Sequence, residues 1–187
     1  MVQKDYVKAQ ALLDDSFRLG SMVLHDNFRP DCILGILRGG APVAIAVHEL
    51  LNFHGIPSEY LGVGASSYET IDQQRDHIQI DRLDYVIARL ATSRSLLIVD
   101  DVFDSGRTIQ ELMDQISNML SDNSRLSIRI ATIYLKPLKQ KVPFRPDYFL
   151  HETNNWLVFP HELQGLSNEE VAANKPIALG ETYQGIK

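Results

Sequence analysis

The sequence predicts an α/β protein with a mostly parallel central sheet flanked by helices. Along its 187 residues, apolar runs typical of buried strands alternate with segments of helical periodicity, which is the pattern of βαβ units. The three turns with the most polar chemistry each follow a predicted strand, at residues 38–40, 100–108 and 136–137. Because ligands bind beyond the carboxyl ends of parallel strands, we expect these turns to lie around one site.

The first part of the chain predicts two helices and two strands. Apolar residues recur at helical spacing over residues 4–25, and the uninterrupted apolar run at 32–37 predicts a strand buried on both faces. Pro42 stands where a helix would begin, so residues 41–53 are predicted to form the next helix. A second strand is predicted at residues 58–63.

A polar segment without clear periodicity, residues 65–77, separates the two halves of the chain. A loop of this length inside a compact domain is usually functional or disordered. Residues 78–80 predict a short strand on its far side. The elements predicted after it are strands at 95–99, 127–135, 147–150 and 156–159 and a helix at 109–120.

Size and composition predict a single domain located in the cytoplasm. Hydrophobic residues make up 44% and charged residues 22%, as in ordinary globular proteins. The net charge of −6 argues against a protein that binds nucleic acid or a membrane surface. The single cysteine, Cys32, lies in an apolar run, which fits a reducing compartment. We see no apolar signal region and no apolar run near the roughly 20 residues that span a bilayer.

Residues 99–108 (VDDVFDSGRT) carry the densest chemistry. A buried strand is followed by the adjacent acids Asp100 and Asp101 and then by Asp104, just before a helix opens. Unpaired N–H groups at that helix start, together with small hydroxyl residues, predict a cradle for a phosphate dianion. A helix cap needs only one acid, so three acids favour a binding site. The other members of the cradle are Ser105, Gly106 and Thr108.

This segment resembles the signature with which type I phosphoribosyltransferases bind 5-phosphoribosyl-1-pyrophosphate (PRPP): two acids, spacer residues and a small-residue phosphate loop. Arg107 departs from the small or polar residue usual in that loop. Residues 37–40 (LRGG) resemble the family's pyrophosphate loop, whose first peptide is often cis without a proline; alone they also fit an ordinary glycine turn. Residues 66–69 (SSYE) resemble the start of the mobile catalytic loop; alone they fit a surface loop.

Two further motifs resemble the 6-oxopurine branch of this family. Lys136 follows a strand, where a lysine of that branch donates to O6 of the base; a solvated strand-end lysine is the other interpretation. Trp156 stands where an aromatic residue stacks on the purine, although a core aromatic residue would give the same pattern. By the same resemblance the backbone of Leu157 contacts the base edge. Glu162 takes an acid position where relatives usually have aspartate.

The resemblance covers roughly residues 30–162 and implies the type I phosphoribosyltransferase fold. The domain would span 1–187, with a core at about 30–135 and a small base-binding hood mainly from 136–187. The implied reaction of purine salvage transfers the phosphoribosyl group of PRPP to N9 of hypoxanthine, guanine or xanthine, giving the nucleoside monophosphate and pyrophosphate. Mg²⁺ carried chiefly by PRPP would be the cofactor, and relatives are usually homodimers or homotetramers.

The resemblance also implies a role for each matched residue. Asp104 is the candidate catalytic group, which takes or hydrogen-bonds the proton at N7 of the purine. Asp100 and Asp101 would fix the ribose and reach the metal indirectly, through PRPP hydroxyls or water. Closure of residues 65–77 would exclude water from the reacting centre. The remaining PRPP ligands would be Ser105, Gly106, Arg107 and Thr108 at the 5′-phosphate and Arg38, Gly39, Ser67 and Tyr68 at pyrophosphate.

Some of these residues are also compatible with other functions. A phosphoribosyltransferase for uracil, adenine or orotate would keep the phosphate cradle, but Lys136 and Trp156 argue against it. A non-catalytic regulator that senses PRPP or nucleotides would share the fold. A P-loop kinase is disfavoured because no G-x-x-x-x-G-K-[ST] pattern occurs.

Overall fold

The computed structural model describes residues 4–68, 77–120 and 126–175. The chain divides into two compact units, a larger one formed by Leu12–Asn154 and a smaller one formed by Met1–Ala11 with Asn155–Lys187. Lys136 belongs to the larger unit, and Trp156 belongs to the smaller one. The division into a core and a hood at residue 136 stays a prediction.

Strands and helices alternate along much of the described chain, although in two places strands follow one another directly. The strands are β1 (Lys4–Tyr6), β2 (Cys32–Leu37), β3 (Glu59–Tyr68), β4 (His77–Asp81), β5 (Ser95–Phe103), β6 (Ser127–Leu135), β7 (Tyr148–Glu152) and β8 (Trp156–Val158). The helices are α1 (Ala9–His25), α2 (Gly40–Phe53), α3 (Leu83–Leu90), α4 (Arg107–Met119) and α5 (Asn168–Asn174). Of these described helices, none is both long and apolar enough to cross a membrane.

The larger unit contains a six-stranded sheet with the order β4-β3-β2-β5-β6-β7. Every neighbouring pair is parallel except β3 with β4, which run antiparallel at one edge. Residues 32–36 of β2 and 96–99 of β5 are buried without interruption, because a strand in the middle of a covered sheet is buried on both faces. The predicted mostly parallel sheet flanked by helices is confirmed.

Helices cover both faces of this sheet. Successive side chains of β2 point to opposite faces, so they contact different helices. Leu34 and Ile36 join residues of α3 and α4 in one hydrophobic cluster. Gly35 faces the opposite way, and a Cβ there would lie 2.9 Å from Cβ of Ala44, so α2 packs directly on the strand. On α1, a Cβ at Gly20 would lie 2.8 Å from a methyl carbon of Leu50, which places α1 against α2.

In the smaller unit, β1 and β8 pair in parallel. A capping box formed by Ser167 and Glu170 begins α5. Glu170 also accepts hydrogen bonds from Lys4 Nζ at 2.7 Å and Tyr6 Oη at 2.8 Å. The bond from Lys4, next that from the backbone N–H of Ser167, and then that from Tyr6 lower the pKa of Glu170 to about 2. A single glutamate therefore ties α5 to β1.

The prediction of one helix over residues 4–25 was wrong at its start. Lys4–Tyr6 is a strand, and the helix begins at Ala9. The strand exists because it pairs with Trp156–Val158, about 150 residues away in sequence. Local periodicity carries no information about such a distant partner.

The prediction of a loop over residues 65–77 was wrong at both ends. Residues 65–68 continue β3 and His77 begins β4, with Ser66 opposite Gln79 in the antiparallel ladder. Backbone hydrogen bonds hold such an edge ladder whether or not its residues are apolar, so the polar composition was misleading. Residues 69–76 lie outside the described chain, and the expected closure of this segment stays a prediction.

Other predicted boundaries shifted, and two helices were missed. The strand predicted at 95–99 continues to Phe103, so the acid pair lies within β5 rather than after it. The helix predicted to begin at residue 109 begins at Arg107. The short helices α3 and α5 were not predicted, because each offers too few turns for a clear apolar period.

Candidate active site

Three segments meet at the carboxyl edge of the larger sheet. Residues 38–40 follow β2, residues 100–108 end β5 and open α4, and Lys136 follows β6. Because these strands are parallel neighbours in the order β2-β5-β6, their ends lie side by side. The site is therefore built from segments widely separated in sequence.

The turn after β2 packs directly on the two adjacent acids of β5. The peptide that joins Leu37 to the next residue is cis, the geometry that the resemblance leads us to expect. A Cβ on Gly39 would lie 2.6 Å from Cγ of Asp101. A Cβ on Gly40 would lie 2.9 Å from Oδ1 of Asp100. Both glycines are needed, because a Cβ on Gly39 would displace Asp101, and a Cβ on Gly40 would also lie 2.7 Å from the carbonyl oxygen of Val99.

The acid pair is crowded and partly withdrawn from solvent. Asp101 is buried, and its N–H donates to Oδ1 of Asp100 at 2.9 Å. Burial, and next the neighbouring carboxyl of Asp101, raise the pKa of Asp100 well above its ordinary value. Thr132 lies opposite Asp100 in β6, and its Oγ1 is buried without a hydrogen-bond partner among the described residues. A ligand that brings hydroxyl donors or a cation would stabilise the ionised pair.

The start of α4 is the segment predicted to form a phosphate cradle. Its N-cap is Gly106 at φ 78°, which has no side chain to bond the N–H groups of the first turn, and that turn contains no acid. Ser105 is fixed from two sides, since Oγ accepts from Arg107 N at 3.3 Å and its carbonyl from Lys141 N at 2.9 Å. This helix start, with no acid in its first turn and no side chain at its N-cap, suits a phosphate dianion. The pocket here is lined by Asp100, Val102, Phe103, Asp104, Ser105, Gly106, Thr108 and Ile109.

Beside the cradle, two lysines approach one carboxylate. Lys136 Nζ donates to Oδ2 of Asp104 at 2.9 Å, and Lys139 Nζ lies 3.5 Å from the same oxygen. The Lys136 side chain is only 7% exposed, whereas that of Asp104 is 42% exposed. The backbone N–H of Lys136 also donates to the carbonyl of Phe103 at 2.9 Å. A fixed hydrogen-bond donor and an accessible acceptor therefore stand next to each other.

The residues predicted to contact the base from the smaller unit differ in their surroundings. Trp156 is 56% exposed, so its indole is not a core side chain, whereas Leu157 is buried. Glu162 accepts a hydrogen bond from the N–H of Phe159 at 2.9 Å. The carbonyl of Phe159 in turn accepts from Lys175 Nζ at 2.6 Å. The carboxylate of Glu162 is thus hydrogen-bonded to the backbone three residues before it.

The remaining predicted ligands lie at the same edge of the sheet, and for two of them the structure describes only the backbone. Arg38 is exposed in the turn after β2, and Arg107 and Thr108 are in the first turn of α4. Ser67 and Tyr68 lie at the end of β3, next to β2, but their side chains fall outside the described part of the structure.

Two residues of the site, Lys139 and Thr132, were not among those predicted. Lys139 carried a weak signal, since it follows Lys136 by three residues, the spacing of a tight turn. Thr132 carried none, because its place opposite Asp100 depends on the register of two strands.

A metal ion would not find a complete set of protein ligands here. Among the residues that the structure describes, no three His, Cys, Asp or Glu side chains are grouped in a way that could hold one. The acid pair of β5 fits a different arrangement, in which Mg²⁺ keeps most of its ligands on substrate oxygens and water.

Comparisons with known proteins agree with this geometry. The family described as the phosphoribosyl transferase domain matches residues 2–165. A hypoxanthine-guanine phosphoribosyltransferase of Lactococcus lactis subsp. lactis is 26% identical over 179 residues, which cover 94% of this chain and 88% of that protein. The protein of the same name from Streptococcus pneumoniae is 25% identical, covering 94% and 91% of the two chains.

Solved structures show the same fold. A purine phosphoribosyltransferase from Pyrococcus horikoshii Ot3 superposes with a TM-score of 0.67 at 26% identity, covering 88% of this chain and 97% of that one. A hypothetical protein from Neisseria gonorrhoeae with bound ppGpp gives a TM-score of 0.70 at 17% identity, covering 92% and 98%. The latter identity is low enough that the likeness concerns the fold alone.

Proposed function

Because the chain belongs to the phosphoribosyl transferase family, we propose that it transfers the 5-phosphoribosyl group of PRPP to N9 of a 6-oxopurine. The products are a purine nucleoside monophosphate and pyrophosphate. The choice of a purine is supported by relatives named hypoxanthine-guanine phosphoribosyltransferase, which align over 94% of the chain. Hypoxanthine, guanine and xanthine are the candidate bases.

The pair formed by Lys136 and Asp104 carries this proposal. Its ammonium and carboxylate are 2.9 Å apart, so a donor and an acceptor are adjacent. A 6-oxopurine presents O6 and N7 as neighbours on one edge, and that edge can accept from Lys136 and donate N7–H to Asp104. An amino group at position 6 would instead place a second donor against the ammonium. The pair therefore favours an oxo base over adenine.

The other site residues have roles in binding PRPP. The open start of α4 takes the 5′-phosphate, the acids Asp100 and Asp101 hold the ribose hydroxyls, and the turn at Gly39 faces pyrophosphate. As the bond from C1 to pyrophosphate breaks, N9 bonds to C1 and the N7 proton passes to Asp104. Asp100 and Asp101 would hold Mg²⁺ indirectly, through PRPP hydroxyls or water, and the ion would supply positive charge for the leaving pyrophosphate.

On the basis of the family resemblance, we also propose that Trp156 stacks on the base and that the backbone of Leu157 contacts its edge. The exposed indole supports this role. A contact of Glu162 with the 2-position would require it to release the N–H of Phe159. Titration with IMP and GMP tests the stack, since binding should quench the fluorescence of the sole tryptophan. Unchanged emission at saturation would contradict it.

A turnover assay tests the proposed function directly. Purified protein is incubated with PRPP, Mg²⁺ and, separately, hypoxanthine, guanine, xanthine, adenine, uracil and orotate, and nucleotide formation is measured. We expect turnover with at least one 6-oxopurine, none with the other bases, and loss of activity with EDTA. Turnover only with adenine, uracil or orotate would overturn the choice of base. Binding of PRPP without any turnover would indicate a regulator.

A variant of Lys136 tests the role proposed for the pair of Lys136 and Asp104. Lys136→Met keeps most of the side-chain volume but removes the donor, and kcat/KM for the oxopurine should fall about 100-fold or more. The affinity for PRPP should change little. Lys141→Met, an exposed lysine in the same segment, is the matched control and should keep normal kinetics. Equal effects of the two substitutions would contradict the role of Lys136.

Two broader expectations accompany this function. We propose a homo-oligomer, dimer or tetramer, on the basis of the family resemblance, and light scattering at micromolar concentration measures it. We also propose a cytoplasmic location, which the single buried cysteine supports.

A further inference from the structure

We propose that Lys139 is a positioning residue for Asp104, which holds the catalytic carboxylate in place when Lys136 turns to the incoming base. This inference rests on the proposed function. It concerns a lysine that lies outside the residues matched to the family motifs.

Both lysines approach the same oxygen of one carboxylate. Lys136 Nζ is 2.9 Å and Lys139 Nζ 3.5 Å from Oδ2 of Asp104. Their environments differ, because the side chain of Lys136 is 7% exposed and that of Lys139 is 47% exposed. Since both bonds use Oδ2, Oδ1 is the oxygen left for the hydrogen at N7 of a purine.

The chain between the two lysines is fixed, so Lys139 does not reach Asp104 by chance. The N–H of Lys139 donates to the carbonyl of Lys136 at 3.1 Å, which closes a turn. The N–H of Leu138 donates to Oδ1 of Asn154 at 3.1 Å, and that of Lys141 to the carbonyl of Ser105 at 2.9 Å. These bonds tie the turn to β7's end and to the phosphate cradle.

The two lysines are suited to a sequence of events during binding. Without a base, the buried ammonium of Lys136 needs the carboxylate of Asp104 as its counterion. When Lys136 donates to O6, its bond to Asp104 is weakened or lost. Lys139 then remains as the cation at Oδ2 and keeps Oδ1 directed at N7. Its partial exposure leaves it able to follow the carboxylate.

The alternatives make different predictions for kinetics. If Lys139 instead bound a phosphate of PRPP, its removal would raise KM for PRPP and leave kcat unchanged. If it were only a solvated lysine, its removal would change neither. If it positions Asp104, kcat falls, because the proton at N7 is transferred in the chemical step.

The experiment compares steady-state kinetics of Lys139→Gln, Lys139→Arg and Lys141→Gln with those of the wild-type enzyme. For Lys139→Gln we expect kcat to fall about fivefold, the size of a partly exposed charge pair, with KM for PRPP nearly unchanged. Lys139→Arg should restore most of kcat, because arginine keeps the charge and reaches as far. Lys141→Gln should have wild-type kinetics, because it changes an exposed side chain and keeps the backbone N–H that donates to Ser105.

A double-mutant cycle measures whether the effect of Lys139 on kcat depends on Asp104, which a merely structural role would not require. In the Asp104→Asn background, Lys139→Gln should have no further effect on kcat, since the lysine acts through that carboxylate. An unchanged kcat in Lys139→Gln, an effect confined to KM for PRPP, or failure of arginine to restore activity would each overturn the inference while leaving the proposed function intact. Absence of turnover in the wild-type enzyme with every 6-oxopurine would overturn both.

Discussion

Replacement of Gly106 by alanine should destabilise the protein through two separable effects. At φ 78°, an alanine is in the left-handed region, which costs about 1–2 kcal/mol. Its Cβ would also contact Val142 and lie 2.6 Å from Cζ of Phe103, where no space exists. Overpacking of this kind costs about 1–3 kcal/mol. Together the two effects should lower the free energy of unfolding by roughly 2–5 kcal/mol.

Two other glycines provide matched controls for the backbone effect alone. Gly55 at φ 76° and Gly165 at φ 79° have the same backbone conformation, but a Cβ on either would meet no atom of the described chain within 4 Å. Gly55→Ala and Gly165→Ala should therefore show only the conformational cost. Thermal unfolding followed by circular dichroism should place Tm of Gly106→Ala about 2–12 °C below that of Gly55→Ala.

The contact with Phe103 and Val142 also has a consequence for binding. Displacing either side chain shifts the start of α4, so Gly106→Ala should weaken PRPP binding while Gly55→Ala leaves it unchanged. Isothermal titration calorimetry with PRPP and Mg²⁺ measures this. Equal Tm values for Gly106→Ala and Gly55→Ala would refute the steric argument, and normal PRPP affinity in a destabilised Gly106→Ala would refute the link to the cradle.

Three further predictions concern other parts of the molecule. Asp104→Asn should lower kcat about 10²–10⁴-fold with little change in PRPP affinity; near-normal turnover would remove its assignment as the catalytic carboxylate. Thr132→Val removes a buried hydroxyl without a partner among the described residues, so it should leave the free energy of unfolding unchanged or raise it by up to about 1 kcal/mol. Urea denaturation measures this, and a free energy of unfolding lowered by more than about 1 kcal/mol would show that the hydroxyl is bonded. Glu170 has a pKa lowered from 4.5 to about 2, so its stabilising effect is present above pH 4.5 and is lost as the pH falls towards 2. The stability of Glu170→Gln measured by unfolding across that range should fall less steeply than that of the wild type, and parallel curves would contradict the bond to Lys4.

The elements that the sequence predicted well are those whose burial leaves a local pattern. The strands at 32–37 and 127–135 were predicted with the bounds they have. The first is an uninterrupted apolar run, and the second has four consecutive buried residues, 130–133, as in a strand covered on both faces. The strand–turn–helix segment that we propose to bind phosphate was also predicted, since a strand, an acid pair and Ser105-Gly106 before a helix are contiguous in the chain. These features depend on residues that are neighbours in sequence, so the sequence alone is enough to predict them.

Only the tertiary structure decided the features that depend on distant partners. β1 is a strand because β8 pairs with it, and residues 65–68 extend β3 because β4 pairs with them. Gly39 must be a glycine because Asp101, more than 60 residues later, occupies the space of its Cβ. The approach of Lys136 and Lys139 to Asp104 likewise requires two parallel strands to end side by side. Strand pairing and register are set by packing across the whole unit, so residue types along the chain could suggest these contacts but not fix them.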